Sequence, residues 1–175
     1  MATFALETDQ PARLLRHRFG VNYVPSRHWY YCYNDWDRDS ICRDLDAVAA
    51  LGADHVRVMV IWPWFQPNPT ALSKRHLDYL EQILAIAAER SLDVLVTLYT
   101  GWLSGFGFNL PYLEKEPFYT SPKWAKVQDL LLDEVVQYVG HHVNFMGFDI
   151  GNEINCNWQA PTADGDAWMG RILDR

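Results

Sequence analysis

The apolar positions of this chain alternate between two periods, and the alternation repeats four times. Phe19 to Val24 is a short, mostly apolar run closed by Pro25 and reads as a strand. Ile41, Leu45, Val48 and Leu51 then follow at helical spacing, with Asp37 as a cap and Gly52 as a stop. His55 to Ile61 reads as a second strand that Pro63 ends. Leu77, Leu80, Ile83, Leu84, Ala87 and Ala88 form one face of a second helix, for which Ser73 is the expected cap. Leu92 to Tyr99 is almost wholly apolar, as a strand covered on both faces should be. Ser121-Pro122 opens a third helix through Val127, Leu130, Leu131, Val135 and Tyr138. Asn144 to Ile150 is the fourth strand, and Asp166 to Leu173 begins a fourth helix.

Strands that alternate with helices imply right-handed crossovers and a parallel sheet, here in the order 1-2-3-4. The loops after the strands are long and aromatic, whereas those before them are as short as Gly52-Ala53-Asp54 or little more than Ser91. That asymmetry is expected when the carboxyl ends of the strands build the site. A doubly wound nucleotide-binding sheet is the alternative. It is weakened because Pro25-Ser26-Arg27-His28-Trp29, after the first strand, is no glycine-rich phosphate loop.

A chain of 175 residues has room for one domain with a sizeable core, and here that domain is expected to span 1–175. Eight Trp, nine Tyr and eight Phe exceed what packing requires, so some aromatic faces are candidates for stacking on sugar rings. A net charge of -7 argues against a nucleic-acid partner, because no basic stripe is present to neutralise phosphates. No segment reaches transmembrane length, and Met1 to Arg18 lacks the apolar core of a leader, which points to the cytoplasm or to a leader already removed. Cys32, Cys42 and Cys156 have no metal-like spacing; three free thiols are expected, with a Cys32–Cys42 disulfide as the other reading.

The chemistry concentrates at Asn152-Glu153, after the fourth strand. An acid and an amide at the mouth of a sheet suit the protonation of a glycosidic oxygen beside a held hydroxyl, although the same dipeptide can serve as a helix cap. If Val56, Val58 and Val60 face the helices, Arg57, Met59 and Ile61 face the other side of the sheet. A buried Arg57 needs a partner, and Asp149 is read as an acid that pairs inside rather than reacts. Trp62, Trp64 and Trp102 are candidate sugar platforms; core packing is the competing reading for each. Tyr23, His28 and Tyr99 are lesser candidates on strand ends. His141-His142 is expected to cap a helix end on the opposite side rather than to bind metal.

Gly20-Val21-Asn22-Tyr23, Val56-Arg57-Val58, Trp62, Trp102 with its glycine-rich loop, and Asn152-Glu153 together resemble the retaining glycoside hydrolases of clan A, the cellulase and β-mannanase superfamily. The resemblance runs from about Phe19 onward and implies a (β/α)8 barrel of which these are the first four βα units. It further implies Glu153 as general acid/base, Asn152 on the sugar 2-hydroxyl, and Arg57 holding a nucleophilic carboxylate. No cofactor or metal is implied. The substrate would be a β-linked polysaccharide or oligosaccharide, with β-mannan or β-glucan favoured and a β-galactosidase-type enzyme as the nearest rival.

The family's nucleophile is a second Glu after strand seven, and no such residue is found in these four units. Pairing with the remaining half of a barrel, or self-association through exposed sheet edges, is therefore expected. Twofold pairing would place Tyr99-Thr100-Gly101-Trp102-Leu103-Ser104-Gly105 where strand seven belongs, without a carboxylate. The isolated chain is thus expected to be inactive, and a non-catalytic carbohydrate-binding half-barrel is the reading from a different class.

Overall fold

A computed structural model describes residues 18–175; the leader reading of the first eighteen residues falls, but for Arg18, outside them. Four strands, β1 (Gly20–Asn22), β2 (His55–Met59), β3 (Asp93–Thr100) and β6 (Phe145–Asn152), form one parallel sheet in the order β1-β2-β3-β6. The predicted sequential order is therefore present. The crossovers carry α1 (Arg38–Ala50), the single-turn α2 (Trp62–Phe65) followed by α3 (Lys74–Ala88), and α4 (Pro122–Val139); α5 (Ile154–Asn157) and α6 (Thr162–Leu173) follow the last strand. Four βα units with a parallel sheet are half of a (β/α)8 barrel. Among the described residues no helix is long and apolar enough to cross a membrane.

Local chemistry explains most boundaries. Asp37 accepts a hydrogen bond from the Ser40 amide at 3.1 Å and starts α1, and Gly52, at φ 79°, turns the chain beyond it. Ser121 accepts from the Lys123 amide at 3.2 Å, with Pro122 beginning α4. Ser73 stands at the cap position of α3 but does not act as predicted. Its hydroxyl lies 2.6 Å from Nδ1 of the buried His76, and no amide of α3 bonds it.

One core fills the space between the sheet and its helices. Val56, Val58, Val60, Val94, Val96 and Leu98 are buried on the sheet, opposite Leu45, Leu80, Leu84, Leu131 and Val135 from α1, α3 and α4. At the amino ends of the strands, Arg18 pairs with Asp54 at 3.0 Å and with Asp93 at 2.8 Å, tying the entry of β1 to β2 and β3. Among the described residues β6 behaves as an edge: it pairs with β3 alone, and every one of its residues is only half-buried. One extra residue bulges β6 between the pairs Val94–Phe145 and Leu95–Gly147, with Gly147 at φ 141°.

The glycine-rich loop after β3 is a hairpin rather than a loop, β4 (Trp102–Leu103) against β5 (Phe106–Gly107). Ser104 and Gly105 turn it with φ of 49° and 92°, the positive values that a tight two-residue hairpin turn demands. The fourth helix starts at Thr162, four residues before the predicted Asp166, because Pro161 precedes and sets its first turn.

Candidate active site

A network on the face of the sheet away from the helices ties all four strands together around Arg57. Its Nε donates to Asp149 Oδ2 at 2.8 Å, and its Nη2 makes a second bond to the same carboxylate. Nη2 also donates to Asn152 Oδ1 at 2.9 Å, while Nη1 reaches Asn22 Oδ1 at 3.2 Å. Thr97 Oγ1 completes the set with a 2.9 Å bond to Asp149. The register supports this, since Asn22 pairs with Arg57 and Thr97 with Asp149. Parity thus placed Arg57 correctly, and Asp149 is the paired acid it was read to be. Parity does not explain Asn152, three residues beyond Asp149; the guanidinium is long enough to span both.

Asn152 is held from both ends. Besides accepting from Arg57, its Nδ2 donates to the Trp102 carbonyl at 2.6 Å, which fixes the hairpin over the end of β6. A primary amide has two N–H groups, so one donor remains for a ligand. Asn157 Nδ2 donates to the Gly101 carbonyl and fastens the same hairpin from α5. Gly101 and Gly151 keep this junction tight: a Cβ on Gly151 would lie 2.7 Å from the Tyr99 carbonyl oxygen.

Glu153 follows immediately, in the left-handed region at φ 48°. That conformation is costly for a residue with a Cβ and recurs where function over-determines the backbone. Its side chain is exposed and hydrogen-bonds no described residue. It lines a groove of about 430 Å³ together with Tyr119, Ile154, Asp166 and Trp168. An unpartnered carboxyl group beside a fixed amide, in a groove at the carboxyl end of the sheet, is free to exchange a proton with whatever enters.

The remaining predicted residues divide. Trp102 is half-buried on the hairpin, and Trp64 is half-buried in an aromatic cluster. Trp64 stacks on Tyr31 with centroids 5.3 Å apart and an interplanar angle of 29°. Trp62 is not a platform: it is 0% exposed, its indole donates to Gln66 Oε1 at 2.7 Å, and Tyr99 and Trp124 surround it. The reason is that Trp62 is the first residue of the single helical turn α2, which points its indole inward. Tyr23 is likewise buried and turned toward α1, where its hydroxyl donates to Asp44 at 3.0 Å. Tyr99 donates to the Gln128 carbonyl in the core. His28 lies 2.7 Å from Asp35 and has no bond to the Arg57 network.

Sequence reasoning missed Tyr31 and Phe106, which are 54% and 48% exposed and flank Tyr30 at 4.6 and 5.0 Å. Nothing in their spacing distinguished them from the other aromatics. The three cysteines are free thiols, and burial pushes Cys32 up to about 12, which makes it inert at neutral pH.

No protein-family model matches this sequence, and no curated protein does. Among solved structures the chain is similar to GH5_18 from Streptomyces cattleya in complex with GlcNAc, at 38% identity and a TM-score of 0.84 over 90% of this chain and 40% of that one. The GH5_18 neighbours are family 5 glycoside hydrolases of clan A, and the chain matches part of such a domain. A GH5_18 variant from Bifidobacterium longum in complex with Manβ1-4GlcNAc matches at 30% identity and a TM-score of 0.87, over 91% of this chain and 40% of that one. An exo-β-1,4-mannosidase from an Opitutaceae bacterium matches at 28% identity and a TM-score of 0.80, over 87% and 28%. The half-barrel described above spans about 40% of the length of the GH5_18 structures it matches.

Proposed function

We propose that this chain carries the acid/base half of a retaining β-glycosidase that acts on β-linked mannosides. The observation that carries this reading is the pair Asn152 and Glu153, one amide locked by Arg57 and Trp102, one carboxyl group free in the adjoining groove. Protonated Glu153 donates its proton to the glycosidic oxygen as the bond to the anomeric carbon breaks; ionised, it then takes a proton from the attacking water. The free N–H of Asn152 donates to a sugar hydroxyl, a contact that gains strength as the ring becomes oxocarbenium-like. Arg57 acts through Asn152 and Asp149 by fixing their positions. Tyr31, Trp64 and Phe106 supply aromatic faces on the neighbouring loops.

Retention needs a second carboxyl group about 5 Å from the first. In this reading it belongs to the family's strand seven, and the edge of β6 is where the rest of a barrel docks. The groove there, about 600 Å³ lined by Leu98, Phe148, Ile150 and Leu173, presents the apolar surface such docking would cover. The complexes of the GH5_18 relatives favour a mannose β-1,4-linked to GlcNAc over long mannan or glucan as the substrate.

The test joins this chain to the last four βα units of a GH5_18 relative and measures hydrolysis of Manβ1-4GlcNAc and of aryl β-mannosides. Glu153→Gln should slow the disaccharide about 10²–10⁴-fold, the usual worth of general acid–base catalysis, and should slow formation of the glycosyl-enzyme less for aryl substrates with good leaving groups. A folded, sugar-binding chimera that hydrolyses the disaccharide equally well with Gln at 153 would remove Glu153 from this role.

A further inference from the structure

A second cluster of chemistry-bearing side chains lies on the opposite side of the sheet, where the strands begin. Glu81 projects from α3, and His141 and His142 occupy the turn between α4 and β6. The histidines were expected to cap α4. The backbone does so instead: the His142 amide donates to the Val139 carbonyl at 3.1 Å, and the Phe145 amide donates to the His142 carbonyl at 3.0 Å. Both imidazoles turn toward Glu81. Nε2 of His141 and Nε2 of His142 each lie 3.6 Å from the same oxygen, Glu81 Oε1, and the three ligand atoms all fall within 4.8 Å of one another.

These distances discriminate between two interactions. A charge-assisted hydrogen bond from imidazole to carboxylate would close to about 2.7–2.9 Å. Two ligands sharing a tetrahedral ion at bond lengths of about 2.0–2.1 Å stand roughly 3.3–3.4 Å apart. The observed 3.6 Å is too long for the first and close to the second. His142 Nε2 gives an independent sign: it is buried and has no hydrogen-bond partner among the described residues. A buried ring nitrogen without a partner costs free energy, and a cation between it and Glu81 would remove that cost. The backbone bonds on both sides of His142 fix the turn beforehand, so little ordering is left for binding to impose.

We infer that Glu81, His141 and His142 bind one divalent transition-metal ion of the Zn²⁺ class, with water in the fourth position, and that the ion clamps α3 to the turn leading into β6. Two imidazoles and one carboxylate suit Zn²⁺ and its borderline neighbours, whereas Mg²⁺ and Ca²⁺ take oxygen ligands. The site lies apart from Glu153 and stands whether or not the glycosidase reading does.

Titration calorimetry with Zn²⁺ alone, on the wild-type chain and on His141→Ala and Glu81→Gln, tests the assignment. His141 and Glu81 are 62% and 39% exposed, so neither substitution threatens the core. The expected result is one Zn²⁺ per chain at micromolar or better affinity, weakened at least about tenfold by each substitution. At equal Zn²⁺ concentration the melting temperature of the wild type should also rise more than that of His141→Ala. The Co²⁺ form should show a tetrahedral visible spectrum without thiolate charge-transfer bands. No binding in that range, equal binding by the variants, or thiolate bands from Cys42 or Cys156 would each overturn the site.

Discussion

Replacing Trp62 with Phe separates the two roles that the sequence allowed for this residue. Trp62 and Gln66 are both 0% exposed, and the indole N–H donates to Gln66 Oε1 at 2.7 Å. Gln66 in turn donates to the Val127 carbonyl at 3.0 Å, so its amide cannot swing away to find water. Phe at 62 leaves Oε1 buried without a donor, a loss of about 1–3 kcal/mol. It also leaves a gap beside Tyr99 and Trp124, where the lost ring atoms add about 1–2 kcal/mol. Together these predict a loss of about 2–5 kcal/mol, a large part of a domain's usual stability. Urea unfolding followed by far-UV circular dichroism measures it. Gln66→Leu alone should also destabilise, because it strands the indole N–H. The double variant should be less harmed than the sum of the two, with a coupling of at least about 1 kcal/mol. A change below about 0.5 kcal/mol for Trp62→Phe, the size expected of an exposed residue, would refute the core assignment.

Arg57→Met removes both bonds to Asp149 and those to Asn152 and Asn22. The side chains are 21% and 29% exposed, so the expected loss is about 1–3 kcal/mol, below that of a fully buried pair, and Asp149→Leu in the same chain should recover part of it in urea titrations. His76 is held neutral: burial first, then the charge of Arg75, pushes it below its ordinary value. The unfolded chain therefore takes up the proton first, so the stability tied to His76 is present in full above about pH 6.5 and is lost as pH falls toward the lower folded value. Unfolding midpoints measured between pH 7.5 and 5.5 should fall more steeply for the wild type than for His76→Gln; parallel slopes would count against this.

Local chemistry by itself determined the alternation of strands and helices, two of the helix starts, and the sequential parallel sheet. Asp37 and Ser121-Pro122 cap their helices because side-chain oxygens and a fixed proline φ act within one turn, and a chain's own neighbours suffice for that. The same holds for Arg57, whose facing follows from strand alternation, and for Asn152-Glu153, whose place follows from the end of an apolar run. What only the tertiary structure decided is where each aromatic and polar tip ends. The single helical turn around Pro63 sent Trp62 into the core and left Trp64 half-buried, an outcome that depends on the space beside Tyr99. Ser73 found His76 rather than an amide, Tyr23 found Asp44, and Asn152 joined Asp149 on one guanidinium despite opposite parity. Glu81 met two histidines 60 residues away only because α3 packs against α4. Periodicity fixes which face a residue occupies; the partner at the end of its side chain comes from another segment, and long-range packing alone brings that segment near.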